Sequence, residues 1–313
     1  MKRCPITYED IDTSKEMYSQ RGLRMLSPRL DHLNPLVFSA AEQRMEAIAR
    51  AGNMSIQGVQ TKLSAVLNIK DQCFEIIDQY GQYILKPQSE YYPELPENEA
   101  VTMSLAATID IEVPVHGLVY SKDNSMTYFI KRFDRTNHKK KCSVEDFAQL
   151  SQLGRDTKYS SSMEKVAELV ANSGFCSFPK IESAKLFKLT LFNFLVGNED
   201  MHLKNFSLIT RKQQIGLSPA YDLLNTTIAQ KNTKEELALP LNGKKNNLKR
   251  RDFIEHFAIE RLQLNTTTIT NVFDQTYRAL PTWNSLINRS FLSDAMKNKY
   301  LALLDERCNR IWG

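Results

Sequence analysis

The hydrophobic period of this chain changes once, near Arg135, and that switch constrains the fold more than any other feature of its 313 residues. Ahead of it, apolar residues come in short runs: Leu63-Ser64-Ala65-Val66-Leu67, Cys73-Phe74-Glu75-Ile76-Ile77 and Tyr83-Ile84-Leu85-Lys86. Polar turns at Asn68 to Gln72 and Asp78 to Gln82 separate them, so they read as strands, and a meander is their simplest pairing. Gly117 to Tyr120 and Thr127 to Phe133 read as two more strands around the loop Ser121 to Ser125. One helix is expected over Leu36 to Ala51, where Val37, Met45, Ile48 and Ala49 recur at helical spacing. A second is expected from Pro96 to Thr108, with Pro96, Glu97 and Glu99 suited to a first turn. Residues 1–36 read as irregular, because Pro5, Pro28 and Pro35 break any long element.

Behind the switch the pattern is helical. Ser143, with Asp146 three residues on, predicts a capped helix start. Helices follow over 162–173 and 181–196, the second apolar on most sides and therefore buried. A hairpin, Phe206 to Ile209 with Gln214 to Leu217, interrupts them, and the chain from about Lys249 to Trp312 is helical by pattern. The expected fold class is α+β. A β-rich N-terminal lobe spans 1–134, and a mainly helical C-terminal lobe spans 135–313.

Bulk properties exclude several classes. Hydrophobic content of 42% and charged content of 25% belong to an ordinary globular protein. The five cysteines are scattered and form no C-x-x-C pair, which argues against a disulfide framework or zinc site and fits a reducing cytoplasm. No apolar run reaches membrane-spanning length, and the N-terminus has no signal-peptide core, so a cytoplasmic location without membrane contact is expected. The net charge of +5 is modest; basic clusters at His138 to Lys141 and Lys244 to Arg251 read as exposed loops or helix starts.

Chemistry concentrates in Gly197-Asn198-Glu199-Asp200-Met201-His202-Leu203-Lys204-Asn205-Phe206 and in Tyr221-Asp222. Asp200 precedes Asn205 by five residues, and Asp222 follows about one hairpin later. Protein kinases use that order for a catalytic-loop Asp, a metal-binding Asn and a second metal-binding Asp. Phosphoryl transfer needs a carboxylate for the acceptor proton and oxygen ligands for Mg²⁺. Taken singly, Asp200 also suits a helix C-cap or turn, Asn205 a turn, and Asp222 a helix N-cap. His202 and Lys204 lie within reach of phosphates in the kinase reading. Upstream, Gly58 lets backbone approach a phosphate, with Ser55, Gln57, Val59, Gln60 and Lys62 around it. This is not a Walker A loop, since the second Gly and the Gly-Lys-Ser/Thr ending are missing. Lys86 closes an apolar strand and suits a phosphate-binding ammonium, with Glu99 as a possible orienting carboxylate.

Five ordered motifs make the chain resemble the HipA family of bacterial Ser/Thr kinase toxins. They are Ser55-Ile56-Gln57-Gly58-Val59-Gln60-Thr61-Lys62-Leu63, Ile84-Leu85-Lys86-Pro87, Arg132-Phe133-Asp134-Arg135, the 197–206 decapeptide, and Pro219-Ala220-Tyr221-Asp222. The resemblance implies a bilobal, protein-kinase-like fold with ATP between the lobes. Lys131, Arg132 and Phe133 would form the hinge beside adenine, and Tyr221 would join the ATP-binding set. Asn205 and Asp222 would hold Mg²⁺, and Asp200 would direct a serine hydroxyl. It also implies autophosphorylation at Ser55; Gln57 stands where related short loops often carry a second serine. Little sequence precedes the Gly58 loop, which makes the chain similar to HipT, the short toxin of tripartite HipBST systems. The implied partners are a HipS-like small antitoxin, a HipB-like DNA-binding protein through which DNA is met indirectly, and an aminoacyl-tRNA synthetase substrate, tryptophanyl in the HipT type. Rival readings are a small-molecule or lipid kinase and a catalytically weak co-repressor module.

Overall fold

The computed structural model describes residues 2–11, 16–50, 60–135, 140–154, 157–171, 174–230 and 235–313. The chain forms two compact units. Unit 1 gathers Met1–Val101, Pro114–Lys141 and Asn288–Leu292; unit 2 gathers Thr102–Val113, Cys142–Ile287 and Ser293–Gly313.

Unit 1 opens with strands β1 (Lys2–Arg3) and β2 (Asp10–Ile11), paired antiparallel, then helix α1 (Gln20–Leu26). These replace the expected irregular segment. Ser19 caps α1 by accepting the Gly22 N–H, and Leu23, Leu26, Leu30, Leu33 and Leu36 enter the unit 1 core. Prolines mark the ends of this segment's elements rather than forbid them.

Helix α2 (Ala40–Arg50) forms where helical spacing placed it. Its apolar residues do not pack inward as that spacing suggested: Met45 is 68% exposed and Ile48 70%. Strands β3 (Leu63–Asn68), β4 (Cys73–Ile76) and β5 (Tyr83–Lys86) follow, then helix α3 (Leu95–Ala107), β6 (His116–Tyr120) and β7 (Met126–Lys131). The antiparallel sheet runs β4-β3-β5-β7-β6, so the first three strands are not a meander. Strand β3 takes an inner place, with Leu63 and Ala65 fully buried, while β4 buries Phe74 and stays at the edge.

Helix α3 buries nearly every side chain from Leu95 to Ala106. Glu97 is one of them. Burial pushes its carboxyl from the usual 4.5 up to about 7, against the hydrogen bonds from Gln88 Nε2 at 2.7 and 2.9 Å. The value is raised on folding, so its stabilising share is full below about pH 4.5 and is lost as pH rises through about 7. Glu97→Gln is therefore expected to be more stable than wild type by roughly 2–3 kcal/mol at pH 8, with the gap closing near pH 4.5. Urea unfolding at both pH values checks this; equal stability at pH 8 would refute the assignment.

Unit 2 begins with β8 (Val144–Asp146) and the short helix α4 (Phe147–Leu150). Ser143 is not the cap. Residues 144–146 are drawn into a strand beside β9 (Ser207–Arg211), so the capping box moves to Asp146 and Gln149. Helices α5 (Met163–Ala171) and α6 (Pro179–Leu195) precede a 3₁₀ turn at Leu203–Asn205, then β9 and β10 (Gln214–Leu217) form the expected hairpin. Helix α7 (Thr226–Ala229), a π-helix at Asp252–Arg261, α8 (Thr266–Arg289) and α9 (Asp294–Trp312) complete the chain. The π-helix was not foreseeable from period, because the segment's apolar residues fit several windings equally. Among the described residues no helix is long and apolar enough to cross a membrane.

Candidate active site

In unit 1, Lys86 is the last residue of β5, and Pro87 prevents the strand from continuing its ladder. Its ammonium lies 5.5 Å from the ring centroid of Tyr128, its register partner on β7. Lys86 is 2% exposed and donates from Nζ to Glu99 Oε1 at 2.5 Å; the Glu99 side chain is wholly buried. A buried ammonium is retained where a charged, hydrogen-bonded partner compensates its lost hydration. Of the two roles the sequence offered Glu99, first-turn dipole and orienting carboxylate, the structure shows the second. Glu99 is the lysine's partner.

Gln60 and Lys62 are half-buried just ahead of β3. Ser55, Gln57, Gly58 and Val59 lie outside the described residues. Lys131 is exposed at the end of β7, and the Arg132 N–H donates to the Gln82 carbonyl at 2.8 Å. Arg132 grips Asp134 through Nε at 3.0 Å and a second nitrogen at 2.9 Å. Burial alone would raise the Asp134 carboxyl; this bidentate pair outweighs it and holds the group low. Phe133 beside it is half-buried.

In unit 2 the decapeptide is delivered by the end of α6. Gly197 takes φ +69°, the Gly197 N–H donates to Phe194 O at 3.2 Å, and the Asn198 N–H donates to Asn193 O at 2.9 Å. This is a Schellman ending, and it requires glycine. A Cβ there would stand 2.4 Å from Leu303 Cδ2 and 2.7 Å from Thr227 Oγ1. Gly197, not Asp200, ends the helix. Thr226 Oγ1 accepts the Glu199 N–H at 2.7 Å, and the Asp200 carbonyl accepts both the His202 N–H at 2.8 Å and Asn205 Nδ2 at 2.8 Å. The loop is thus fixed by backbone and amide contacts, leaving the Asp200 carboxylate 43% exposed.

Tyr221 joins the downstream motif to this loop. Its hydroxyl donates to the Lys204 carbonyl at 2.9 Å and lies 2.6 Å from Ser207 Oγ. Asp222 follows at φ +53°, so it is not a helix N-cap; Asn225 caps α7 instead. His202 is buried, and burial pushes its pKa down, opposed by Asp200 and Asp222 and reinforced by Lys158. Its Nδ1 accepts the Lys204 N–H at 3.3 Å, while Nε2 lies 2.7 Å from Lys158 Nζ and 3.9 Å from Asp200 Oδ1. The imidazole is accordingly held neutral.

Among the described residues no three His, Cys, Asp or Glu side chains gather into a metal cage. Asn205 uses its NH₂ on the Asp200 carbonyl, so its oxygen is the end left for a cation, and hard cations take oxygen ligands with the remainder from phosphate and water. A separate cavity of about 520 Å³ in unit 2, walled by Ile111, Ile181, Leu189 and Val272, touches Asn205 but not Asp200, His202 or Asp222.

Two residues that sequence reading passed over sit at the centre of this geometry. The Tyr159 hydroxyl donates to Asp200 Oδ1, and Lys158 meets His202. Their signal was slight: one aromatic and one lysine in the otherwise polar run Gly154 to Ser162, at no fixed spacing from the decapeptide.

A family model for the HipA-like C-terminal domain matches residues 54–283. A candidate kinase of Haemophilus influenzae is 30% identical over 265 residues, covering 77% of this chain and 74% of its own length. The serine/threonine-protein kinase toxin HipA of Shewanella oneidensis is 26% identical over 206 residues, 60% of this chain and 47% of the relative, so the chain spans about half that relative's length. Among solved structures, a chain of the Shewanella oneidensis complex of HipA, HipB and operator DNA aligns with TM-score 0.69 at 20% identity, covering 90% of this chain and 72% of that one. The Helicobacter pylori proinflammatory kinase CtkA aligns with TM-score 0.55 at 18% identity, over 82% and 91%. These two share the fold, which is kinase-like. With its matched domain covering residues 54–283, this chain belongs to the HipA-like family.

Proposed function

We propose that this chain is an ATP-dependent serine/threonine protein kinase acting as the toxin of a toxin–antitoxin system. The observation that carries the reading is the buried Lys86–Glu99 ion pair, since kinases orient their phosphate-binding lysine with a helix glutamate. In this reading Lys86 takes the α- and β-phosphates, assisted by Lys62 and the Gly58 loop, and residues Lys131 to Phe133 flank adenine. Asp200 receives the acceptor hydroxyl proton, and neutral His202 leaves the carboxylate uncompensated for that task. Asn205 and Asp222 would hold Mg²⁺, which when bound neutralises phosphate charge. Lys204 and Tyr221 complete the loop beside it.

The substrate in this reading is an aminoacyl-tRNA synthetase, tryptophanyl if the chain is of the HipT type, with Ser55 as a self-acceptor. Kinship with the HipA toxin of Shewanella oneidensis supports the toxin role, and the fold shared with a HipA–HipB–operator DNA complex supports a HipB-like partner that meets DNA. A HipS-like antitoxin follows from the HipT reading. The test is phosphoproteomics after expression in a bacterial host. Wild type is expected to yield a synthetase serine phosphopeptide that Lys86→Met does not. Purified wild-type protein that shows no saturable Mg·ATP binding by calorimetry would sink the kinase reading.

A further inference from the structure

The carboxylate of Asp200 already has a hydroxyl on it. Tyr159 donates its phenolic O–H to Asp200 Oδ1, and the segment that carries it is fastened to the catalytic loop at several points. The Leu203 N–H donates to the Lys158 carbonyl at 3.3 Å, and Lys158 Nζ meets His202 Nε2 at 2.7 Å. The Tyr159 ring stands edge-on to the His202 imidazole, centroids 5.0 Å apart at 86°. Lys158 Nζ lies 4.8 Å from the centroid of the same ring.

This arrangement differs from a tyrosine used for packing. Tyr221, in the same unit, is half-buried and its hydroxyl meets a backbone carbonyl and a serine, the ordinary partners of a packed phenol. Tyr159 is 41% exposed and Asp200 is 43% exposed on its side chain, so neither needs the other to escape burial. An O–H presented to the carboxylate at hydrogen-bond distance is the geometry an acceptor must reach before phosphoryl transfer. Burial and the Asp200 hydrogen bond both hold the phenol protonated, so it stays a donor across the neutral range.

We propose that Tyr159 occupies the acceptor-hydroxyl position on Asp200, so that a substrate hydroxyl must displace it and Tyr159 thereby sets the affinity for the acceptor. The inference rests on the kinase reading above. Displacement exchanges one charge-assisted hydrogen bond for another, and the exposed ring has solvent to swing into. The Lys158–His202 and Leu203–Lys158 contacts keep the loop in place while it does so. With ATP present and no substrate, the phenol on Asp200 would itself stand in the acceptor's place. Its oxygen would bond to the γ-phosphorus as the bond to the ADP oxygen breaks, and its proton would pass to Asp200.

Tyr159→Phe keeps the ring on His202 and removes only the hydroxyl. Initial rates are measured with dephosphorylated casein and with water as acceptors at saturating Mg·ATP, beside calorimetric Mg·ATP titrations and a melting curve of each protein. The variant is expected to show an acceptor KM about tenfold lower and ATP hydrolysis about tenfold higher, the size of one charge-assisted hydrogen bond, with KM for Mg·ATP unchanged. Phosphate on Tyr159 of the wild type, found by mass spectrometry, would equally support occupancy. Unchanged casein KM and hydrolysis in a variant that melts and binds Mg·ATP normally would overturn the inference and leave the kinase reading standing. A fall in kcat at constant KM would overturn it too, by making Tyr159 a residue that positions Asp200. If neither protein binds Mg·ATP, both readings fall together.

Discussion

Asp200→Asn is expected to lower phosphoryl transfer by about 10²–10⁴-fold, the usual contribution of a positioned general base. The same change is expected to leave the loop and the melting temperature nearly untouched. Its backbone carbonyl, not its side chain, receives the His202 N–H and Asn205 Nδ2, and Gly197 carries the helix ending. The carboxylate itself is 43% exposed, and its partner Tyr159 can still donate, more weakly, to an amide oxygen. What asparagine cannot do is accept the acceptor's proton. Single-turnover transfer from γ-labelled ATP separates the two roles. A loss smaller than about threefold would place the catalytic carboxylate elsewhere, with Asp222 the next residue to change.

Much of this was legible in the sequence, for identifiable reasons. Strands β3 to β7 and helices α5 and α6 declare themselves because their burial is one-sided or complete, and period reports burial. Order within the sheet was not legible. A strand's apolar content does not say whether it is inner or at an edge, nor which neighbour it takes: the edge strand β6 is as buried as the inner β3. Ser143 illustrates a different limit: its capping signal is genuine, yet pairing with β9 claims the residues behind it, and tertiary structure outweighs a local preference worth about 1 kcal/mol. Asp200, Asn205 and Asp222 could be singled out from spacing, because the first two share one short loop and the third follows one hairpin later, and the loop does join Asn205 to the Asp200 carbonyl. Glu99 was offered both as a first-turn acid and as the partner of Lys86, and three-dimensional structure decides between them by placing its carboxylate on the lysine. Tyr159 had no spacing to reveal it at all, since it stands 41 positions ahead of Asp200, with two whole helices in between.

The Lys86–Glu99 pair allows stability and function to be told apart. Glu99→Ala leaves an ammonium that is 2% exposed without its carboxylate, and breaking a buried pair from one side costs roughly 3–5 kcal/mol. A fall in melting temperature on the order of 10 °C is therefore expected, together with loss of Mg·ATP binding. That result alone would not separate a phosphate lysine from a structural one. The double variant Lys86→Met with Glu99→Leu does, because it removes both charges and fills the same space with apolar groups. Its stability is expected to recover to within about 1–2 kcal/mol of wild type, since buried pairs replaced by well-packed hydrophobes are often neutral. Mg·ATP binding is expected to stay lost, because a thioether offers no charge to the phosphates. Calorimetric titration of the refolded double variant decides the matter. Wild-type affinity there would make the pair purely structural and move the phosphate charge to Lys62.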